Sequence, residues 1–278
     1  MKKVSKTKRK IIYYSIYTIL ALLIILSIIY IANYFLSKKQ AIQESQLLDK
    51  IEIDENQVKE ANETTEEANI TTQENIEETT NQETERILKV QKLQEENSDI
   101  VGWLEIEGTS INYPVLQGTD NEYYMTHNYK KQKSKNGSIF LTKDYDWSIP
   151  SSNLLIYGHN LNNGTMFQEL LKYAKEEFYK EHPIIRFTTN KEDAEYEIIS
   201  AFKSRVYYKT EKNVFRYYFF VNAKTEAKYN EFVQNAKKAS LYDIDKTAKF
   251  GDQLITLSTC SYHVEDGRFA VVGRKTRG

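Results

Sequence analysis

The sequence predicts a mainly β fold, a closed or nearly closed β-barrel carried behind a single transmembrane helix. Three observations predict it. An uncharged run of 26 residues, 11–36, lies close to the N-terminus. From about residue 86 onward, short segments rich in β-branched and aromatic residues alternate with turn residues. Few helical periodicities interrupt them, and many short strands with few helices suit a closed sheet.

The N-terminal run reads IIYYSIYTILALLIILSIIYIANYFL. About 20 apolar residues cross a bilayer core as a helix. A secretory signal has a shorter apolar region, roughly 7–15 residues, followed by a small-x-small cleavage site. Ala32-Asn33-Tyr34 and Phe35-Leu36-Ser37 make a poor site. Tyr13, Tyr14 and Tyr17 at one end and Tyr30, Tyr34 and Phe35 at the other suit the two interfaces. Six cations (Lys2, Lys3, Lys6, Lys8, Arg9, Lys10) precede the run and only Lys38 and Lys39 follow it closely. The positive-inside bias then puts residues 1–10 in the cytoplasm as a basic tail, and everything after Ser37 outside the cell membrane.

The net charge of −1 hides an asymmetry, because residues 44–85 hold fourteen acids and two lysines, while the chain from Arg86 on carries +3. The balance excludes a uniformly basic nucleic-acid binder and a uniformly acidic solvating protein, so no nucleic-acid partner is expected. Residues 37–85 contain no aromatic residue, Pro or Gly. Dominated by Glu, Thr, Asn and Gln, they are expected to form an acidic disordered spacer, with some helix near 47–58. Like-charge repulsion would extend it and hold the next domain off the membrane. One Cys in the chain excludes an intramolecular disulfide framework and a Cys-cluster zinc site. No acidic cluster is spaced like a calcium loop, and neither a metal nor a cofactor is expected.

Residues 86–278 are expected to form one domain, long enough for a substantial core. Ile87, Val90, Leu93 and Gln94 share a helical face, and Asn97-Ser98 stops that helix. Strands are expected at 101–107, 110–116, 138–141, 153–157, 184–188, 195–208, 253–259 and 269–274. A short helix is expected at 166–173. A longer one is expected at 225–240, where Tyr229, Phe232, Val233 and Ala236 recur at helical spacing.

Chemistry is most readily placed at Cys260, which ends the run Leu254-Ile255-Thr256-Leu257-Ser258-Thr259. A free Cys is most often an inert small core residue. Outside a membrane, however, an idle thiol is an oxidation liability, which favours a nucleophile at this strand end. A thiol nucleophile needs a base or cation beside it. His159 lies just past the run ending Tyr157-Gly158, and His263 lies three residues beyond Cys260. His127 and His182 sit in a polar loop and before Pro183. The residues alone leave His159 and His263 as alternatives. The Asp266-Gly267 turn signal suggests an antiparallel hairpin centred near Val264. That axis sets Cys260 opposite Arg268, with Cβ atoms about 5 Å apart. It sets Arg274 opposite Leu254, on the order of 20 Å away. Arg268 is therefore the candidate oxyanion partner, the alternative being a surface ion pair with Asp266.

Thr256-Leu257-Ser258-Thr259-Cys260 with Arg268 behind it and Tyr157-Gly158-His159-Asn160 upstream resembles the sortases, and specifically class B. Gly102-Trp103-Leu104, the stretch Asn112-Tyr113-Pro114-Val115-Leu116-Gln117-Gly118 and Asn121-Glu122-Tyr123-Tyr124-Met125 resemble the family's first strands and following short helix. Gly137-Ser138-Ile139-Phe140-Leu141 and Gly164-Thr165-Met166-Phe167 resemble the segments flanking the His strand. The likeness spans roughly 87–278. It implies an eight-stranded sortase barrel with an N-terminal helical segment and a helix before a late strand, which the 225–240 helix fits. It implies a cysteine transpeptidase that cleaves a C-terminal sorting signal after Thr and joins the Thr carbonyl to an amine. The implied partners are secreted proteins bearing that signal, with a peptidoglycan cross-bridge amine or a pilin Lys as acceptor. Cys260 would be the nucleophile, His159 the general acid and base, and Arg268 the oxyanion or substrate-positioning group. Asn121, Tyr157 and Ser258 match positions lining the family's peptide groove. An L,D-transpeptidase would have Arg two residues after Cys, where this chain has Tyr262. A papain-like order would put Cys before His. The alternative of another class is a membrane-tethered β-domain that binds a partner, with Cys260 in its core.

Overall fold

The computed structural model describes residues 6–49, 58, 61, 75–149 and 151–278. Helix α1 (Lys6–Asp49) contains a stretch, Ile12–Lys39, long and apolar enough to cross a membrane. Residues 1–5 of the expected basic tail and most of 50–74 of the expected spacer lie outside the described residues.

The expectation of a spacer disordered over 37–85, apart from some helix near 47–58, needs correcting at both ends. α1 runs on as helix to Asp49, and α2 (Asn75–Glu96) begins ten residues before Glu85. Neither end contains Gly or Pro, and the Lys, Gln, Ala, Glu and Leu residues following Ser37 are good helix formers. The far end is also tied to the domain. Glu83 pairs with Arg277 at 2.9 Å, and Arg86 pairs with the nearly buried Asp193 at 2.7 Å. α2 then lays Val90 and Leu93 against Ile100, Trp103, Leu116, Tyr124 and Phe140. The Asn97 amide donates to the Tyr129 carbonyl at 2.6 Å, beyond the helix end.

Eight strands follow: β1 (Ile100–Glu105), β2 (Asn112–Leu116), β3 (Ile139–Leu141), β4 (Asn153–Tyr157), β5 (Ile184–Thr188), β6 (Asp193–Arg205), β7 (Leu254–Cys260) and β8 (Gly267–Arg277). They close into a barrel in the order β1-β2-β3-β4-β7-β8-β6-β5. The pairs β2/β3 and β4/β7 are parallel, and the others are antiparallel. All eight expected strands are present. β8 reaches three residues beyond its expected end, continuing its long pairing with β6. The expected 166–173 helix is instead a 3-10 segment, Glu169–Ala174. Met166 has φ +57, a left-handed conformation that cannot start a helix. A short helix that periodicity did not reveal, α3 (Glu176–Glu181), comes next.

α4 (Glu226–Ala239) lies between β6 and β7, in the place expected of the late helix. The Thr225 hydroxyl accepts from the Lys228 N–H as its N-cap. Tyr229, Phe232, Val233 and Ala236 are its buried face. These join the main core with residues of all eight strands, while Ile100, Trp103, Leu116 and Phe140 pack in the smaller α2 cluster.

Candidate active site

The site forms where the parallel pair β4/β7 ends. Tyr157 pairs with Ser258 in register, so the same register carried two residues further sets His159 beside Cys260. Adjacent strands lie about 4.8 Å apart. Three bonds hold this junction together. Gly158 N–H donates to the Ser258 carbonyl at 3.1 Å. The Thr259 hydroxyl donates to the Gly158 carbonyl at 2.8 Å. The Asn160 amide donates to the Cys260 carbonyl at 3.0 Å. On the other side of β7, Cys260 faces Arg268 directly, and Leu254 faces Arg274. Gly267 closes this hairpin at a point where a Cβ would sit 2.0 Å from the Ser261 carbonyl oxygen.

Cys260, His159 and Arg268 wall one cleft of roughly 210 Å³, with Asn121, Tyr157 and Ser258 also on its lining. All six residues that the sequence singled out therefore come together. Met125, Phe140, Gly158 and Thr259 complete the lining and were not foreseen. A larger depression of about 770 Å³ lies over Gln117, Asp120, Asp144 and Trp147, but no Cys or His lines it. The thiol, the imidazole and the guanidinium all line the smaller cleft.

Cys260 is partly exposed, not buried in the core. His159 Nε2 lies 2.7 Å from the Met125 carbonyl oxygen. The other histidines are engaged elsewhere. His263 is exposed, with Nδ1 2.9 Å from the Ser261 hydroxyl. His127 stacks on Tyr123 at 4.0 Å, and His182 Nδ1 lies 2.8 Å from the Glu107 carbonyl. None of the three lines the cleft. Geometry thus separates His159 from His263, which the residues alone did not.

Arg268 Nη1 donates to the Gly267 carbonyl at 3.0 Å and to the Asp266 carbonyl at 3.3 Å. Among the described residues no carboxylate lies within ion-pair distance of it, so the alternative surface pair with Asp266 does not form. Its charge instead faces two phenols. Burial pushes the Tyr157 phenol well above the usual tyrosine range, and nearby Arg268 opposes that rise. Burial raises Tyr217 in the same way, against the Ser258 hydroxyl and Arg268. Tyr217 lies behind the cleft, its hydroxyl 2.7 Å from Ser258 Oγ. No pattern in the sequence marked it.

The three groove residues differ in how free they are. The Asn121 side-chain oxygen accepts from the Lys143 N–H at 2.8 Å, which ties it to the β3–β4 connection. Ser258 is almost fully buried and shares its hydroxyl with Tyr217. Tyr157 is partly exposed and packs on Phe140 with ring centroids 5.5 Å apart.

A thiol, an imidazole and a guanidinium on three adjacent chain segments, in one cleft, are what acyl transfer through a thioester requires. A family model for the sortase domain matches residues 104–276. The chain belongs to the sortase family. Its relatives place it in class B. It is 35% identical to the sortase B of Listeria monocytogenes over 190 residues, 67% of this chain and 73% of that one. It is 33% identical to the sortase B of Staphylococcus aureus over 186 residues, 66% of this chain and 73% of that one. Among solved structures, a substrate complex of S. aureus sortase B matches with TM-score 0.61 and 31% identity, covering 68% of this chain and 85% of that one. The sortase B of Clostridium perfringens matches with TM-score 0.60 and 28% identity, covering 67% and 98%. Family membership makes this sortase a cysteine transpeptidase in class.

Proposed function

We propose that this sortase cleaves a C-terminal sorting signal after Thr and transfers the Thr acyl group to an amine, with Cys260, His159 and Arg268 as its machinery. The Cys260 thiol gives its proton to His159 and adds to the Thr carbonyl carbon, and Arg268 faces the oxyanion that develops. The C–N bond breaks as His159, acting as general acid, gives its proton to the leaving amine. A thioester remains on Cys260. An acceptor amine then attacks that thioester, His159 takes the amine's proton, the C–S bond breaks, and His159 returns that proton to the Cys260 sulfur. The observation that carries this reading is the placing of His159 and Arg268 on the two segments flanking Cys260, in one cleft. Asn121, Tyr157 and Ser258 are proposed to border the peptide, Tyr157 being the most accessible of the three.

The acceptor is proposed to be a peptidoglycan cross-bridge amine or a pilin Lys. A sortase B structure 30% identical to this chain is a complex with triglycine, which supports an amine-ended peptide in that role. The Ile12–Lys39 span is proposed to anchor the chain once in the cell membrane, with the basic N-terminus in the cytoplasm and the barrel outside. Anchoring there would raise the local concentration of substrates still held by a hydrophobic tail.

The test incubates the full chain in detergent micelles with a panel of sorting-signal peptides and follows intact mass. An acyl adduct on Cys260 that ends at Thr, and that an added amine releases, supports the reading. No adduct with any peptide, together with a Cys260 that resists alkylation until unfolding, would leave a partner-binding β-domain instead.

A further inference from the structure

A neutral imidazole carries one proton, on either of two nitrogens, and only the bare nitrogen can accept another. His159 Nε2 lies 2.7 Å from the Met125 carbonyl oxygen. A carbonyl oxygen only accepts, so Nε2 must carry the proton and Nδ1 is left bare. We propose that the Met125 carbonyl is the group that fixes this tautomer and aims Nδ1 at the reacting atoms, and that Gly137 is the positioning residue that keeps its seat open. This deepens the transpeptidase reading and rests on it for the role of His159. Among the described residues no carboxylate is hydrogen-bonded to His159, so the orienting partner that a base ordinarily takes from an acid is here a backbone atom.

The carbonyl is held firmly enough for the task. Met125 closes a 3-10 turn, Tyr123–Met125, and its N–H donates to the Glu122 carbonyl at 3.0 Å. The Asp120 carboxylate accepts from the Glu122 and Tyr123 N–H groups at 2.8 and 2.7 Å, pinning the start of that turn. The segment leading into β3 is stitched to the same turn. Ser138 N–H donates to the Tyr124 carbonyl at 2.8 Å, and Ser134 N–H to the Thr126 carbonyl at 2.9 Å. This stitching drives residue 137 in between the turn and the imidazole. Gly137 has φ +61 there, and an added Cβ would lie 2.6 Å from the Met125 oxygen and 2.9 Å from His159 Cδ2. Ordinary contact begins at 3.4 Å. Any side chain at 137 therefore has to push apart the two groups whose bond sets the tautomer. A displacement on the order of 1 Å at a catalytic group costs up to about 100-fold in rate.

Gly251 supplies the control. It also has positive φ, +102, but an added Cβ meets nothing within 4 Å, and it precedes β7 at the end of that strand opposite Cys260. An Ala at either position carries backbone strain, and only the one at 137 carries the collision. The full chain is labelled with 15N-histidine in micelles. Its four histidines are assigned by single His→Gln variants. We expect His159 to show the Nε2–H tautomer in the unaltered chain. We expect G137A to show a mixed or Nδ1–H signal, with kcat for acyl transfer lowered ten- to a hundredfold and KM within threefold. G251A is expected to lower the melting temperature while leaving the tautomer and kcat in place. An Nδ1–H tautomer in the unaltered chain overturns the proposal whether or not G137A folds. So does a G137A enzyme whose kcat stays within threefold, or a G251A enzyme that loses kcat in step with its melting temperature as G137A does. The tautomer is read without turnover, so a chain that holds Nε2–H but forms no acyl-enzyme refutes the transpeptidase reading and not the hydrogen bond.

Discussion

Replacing Arg268 tests the assignment of charge in the cleft most directly. Its guanidinium leans on two backbone carbonyls through Nη1 and has no carboxylate partner among the described residues. Removing it therefore breaks no ion pair, and stability should change by no more than about 0.5 kcal/mol, the usual range for such surface sites. For a domain of this size that is a shift of roughly 2 °C at most. The rate should respond quite differently. Loss of one oxyanion donor typically costs 10²–10³ in kcat, about 2.7–4 kcal/mol. Arg268 is partly exposed and the cleft is open to water, so screening favours the lower end, about 100-fold for Arg268→Ala. Arg268→Lys keeps the charge but loses the planar fork, and about tenfold is expected. The assay is steady-state transfer of a sorting peptide to an amine, beside a thermal melt. A fall in kcat at constant KM indicates stabilisation of the oxyanion, and a rise in KM at constant kcat indicates holding of the peptide backbone. An Arg268→Ala enzyme within threefold of the unaltered kcat/KM would refute the reasoning. So would a rate loss accompanied by a drop of more than about 5 °C, because the effect would then be structural.

His263→Ala is expected to leave kcat within threefold while His159→Ala loses about 100-fold or more, measured in the same assay, because only His159 borders the cleft. Cys260 is expected to react with iodoacetamide in the folded chain, since it is partly exposed, and mass spectrometry before and after denaturation decides this. Tyr217→Phe or Ser258→Ala alone leaves a buried hydroxyl without its 2.7 Å partner and is expected to cost about 1–3 kcal/mol, whereas the double variant should cost far less than the sum, as a double-mutant cycle by denaturant melts would show. The Asp99 carboxyl is partly buried, which opposes ionisation, but the Tyr124 hydroxyl and Lys131 ammonium outweigh that and hold it below 3.8. Its contribution to stability is therefore present above the ordinary carboxylate range and is lost as the pH falls through its lowered pKa, so the stability gap between the unaltered chain and Asp99→Asn should narrow as acid melts are taken below about pH 4.

What the sequence revealed, and what it hid, follows from how local each signal is. The β7–β8 hairpin was legible to the residue, because alternation and the Asp266-Gly267 turn fix one axis. That axis put Cys260 opposite Arg268 and Leu254 opposite Arg274, as found. The choice between His159 and His263 was not legible without the family resemblance. It depends on the β4/β7 parallel pairing, a contact between residues about a hundred positions apart. Short elements also escaped. α3 has six residues, fewer than two turns, so no periodicity can announce it. The ends of the acidic stretch read as disorder because their composition is polar, yet helix continuity at Ser37 and the ion pairs of Glu83 and Arg86 order them. A backbone acceptor such as the Met125 carbonyl has no residue type to betray it. Its one trace is Gly137 after Asn136, which looks like any turn glycine in the sequence.

The parallel β4/β7 pair also explains why the site has a rear wall made of distant residues. Parallel neighbours cannot be joined by a tight turn, so after β4 the chain must make a long excursion, through β5 and β6 elsewhere in the barrel, before it returns as β7. The returning segment, 158–253, carries β5, β6 and α4, and it also carries Tyr217. Tyr217 is fully buried and packs on Phe202 of β6 while its hydroxyl meets Ser258 on β7. One side chain thereby links the excursion to the strand that ends in the nucleophile. Past His159 and Asn160, substitutions in that excursion can reach Cys260 only through packing, so they should move melting temperature and rate together. Those in the β7–β8 hairpin can move the rate alone. The division follows from strand order, and it sorts structural from chemical effects before any transition state is invoked.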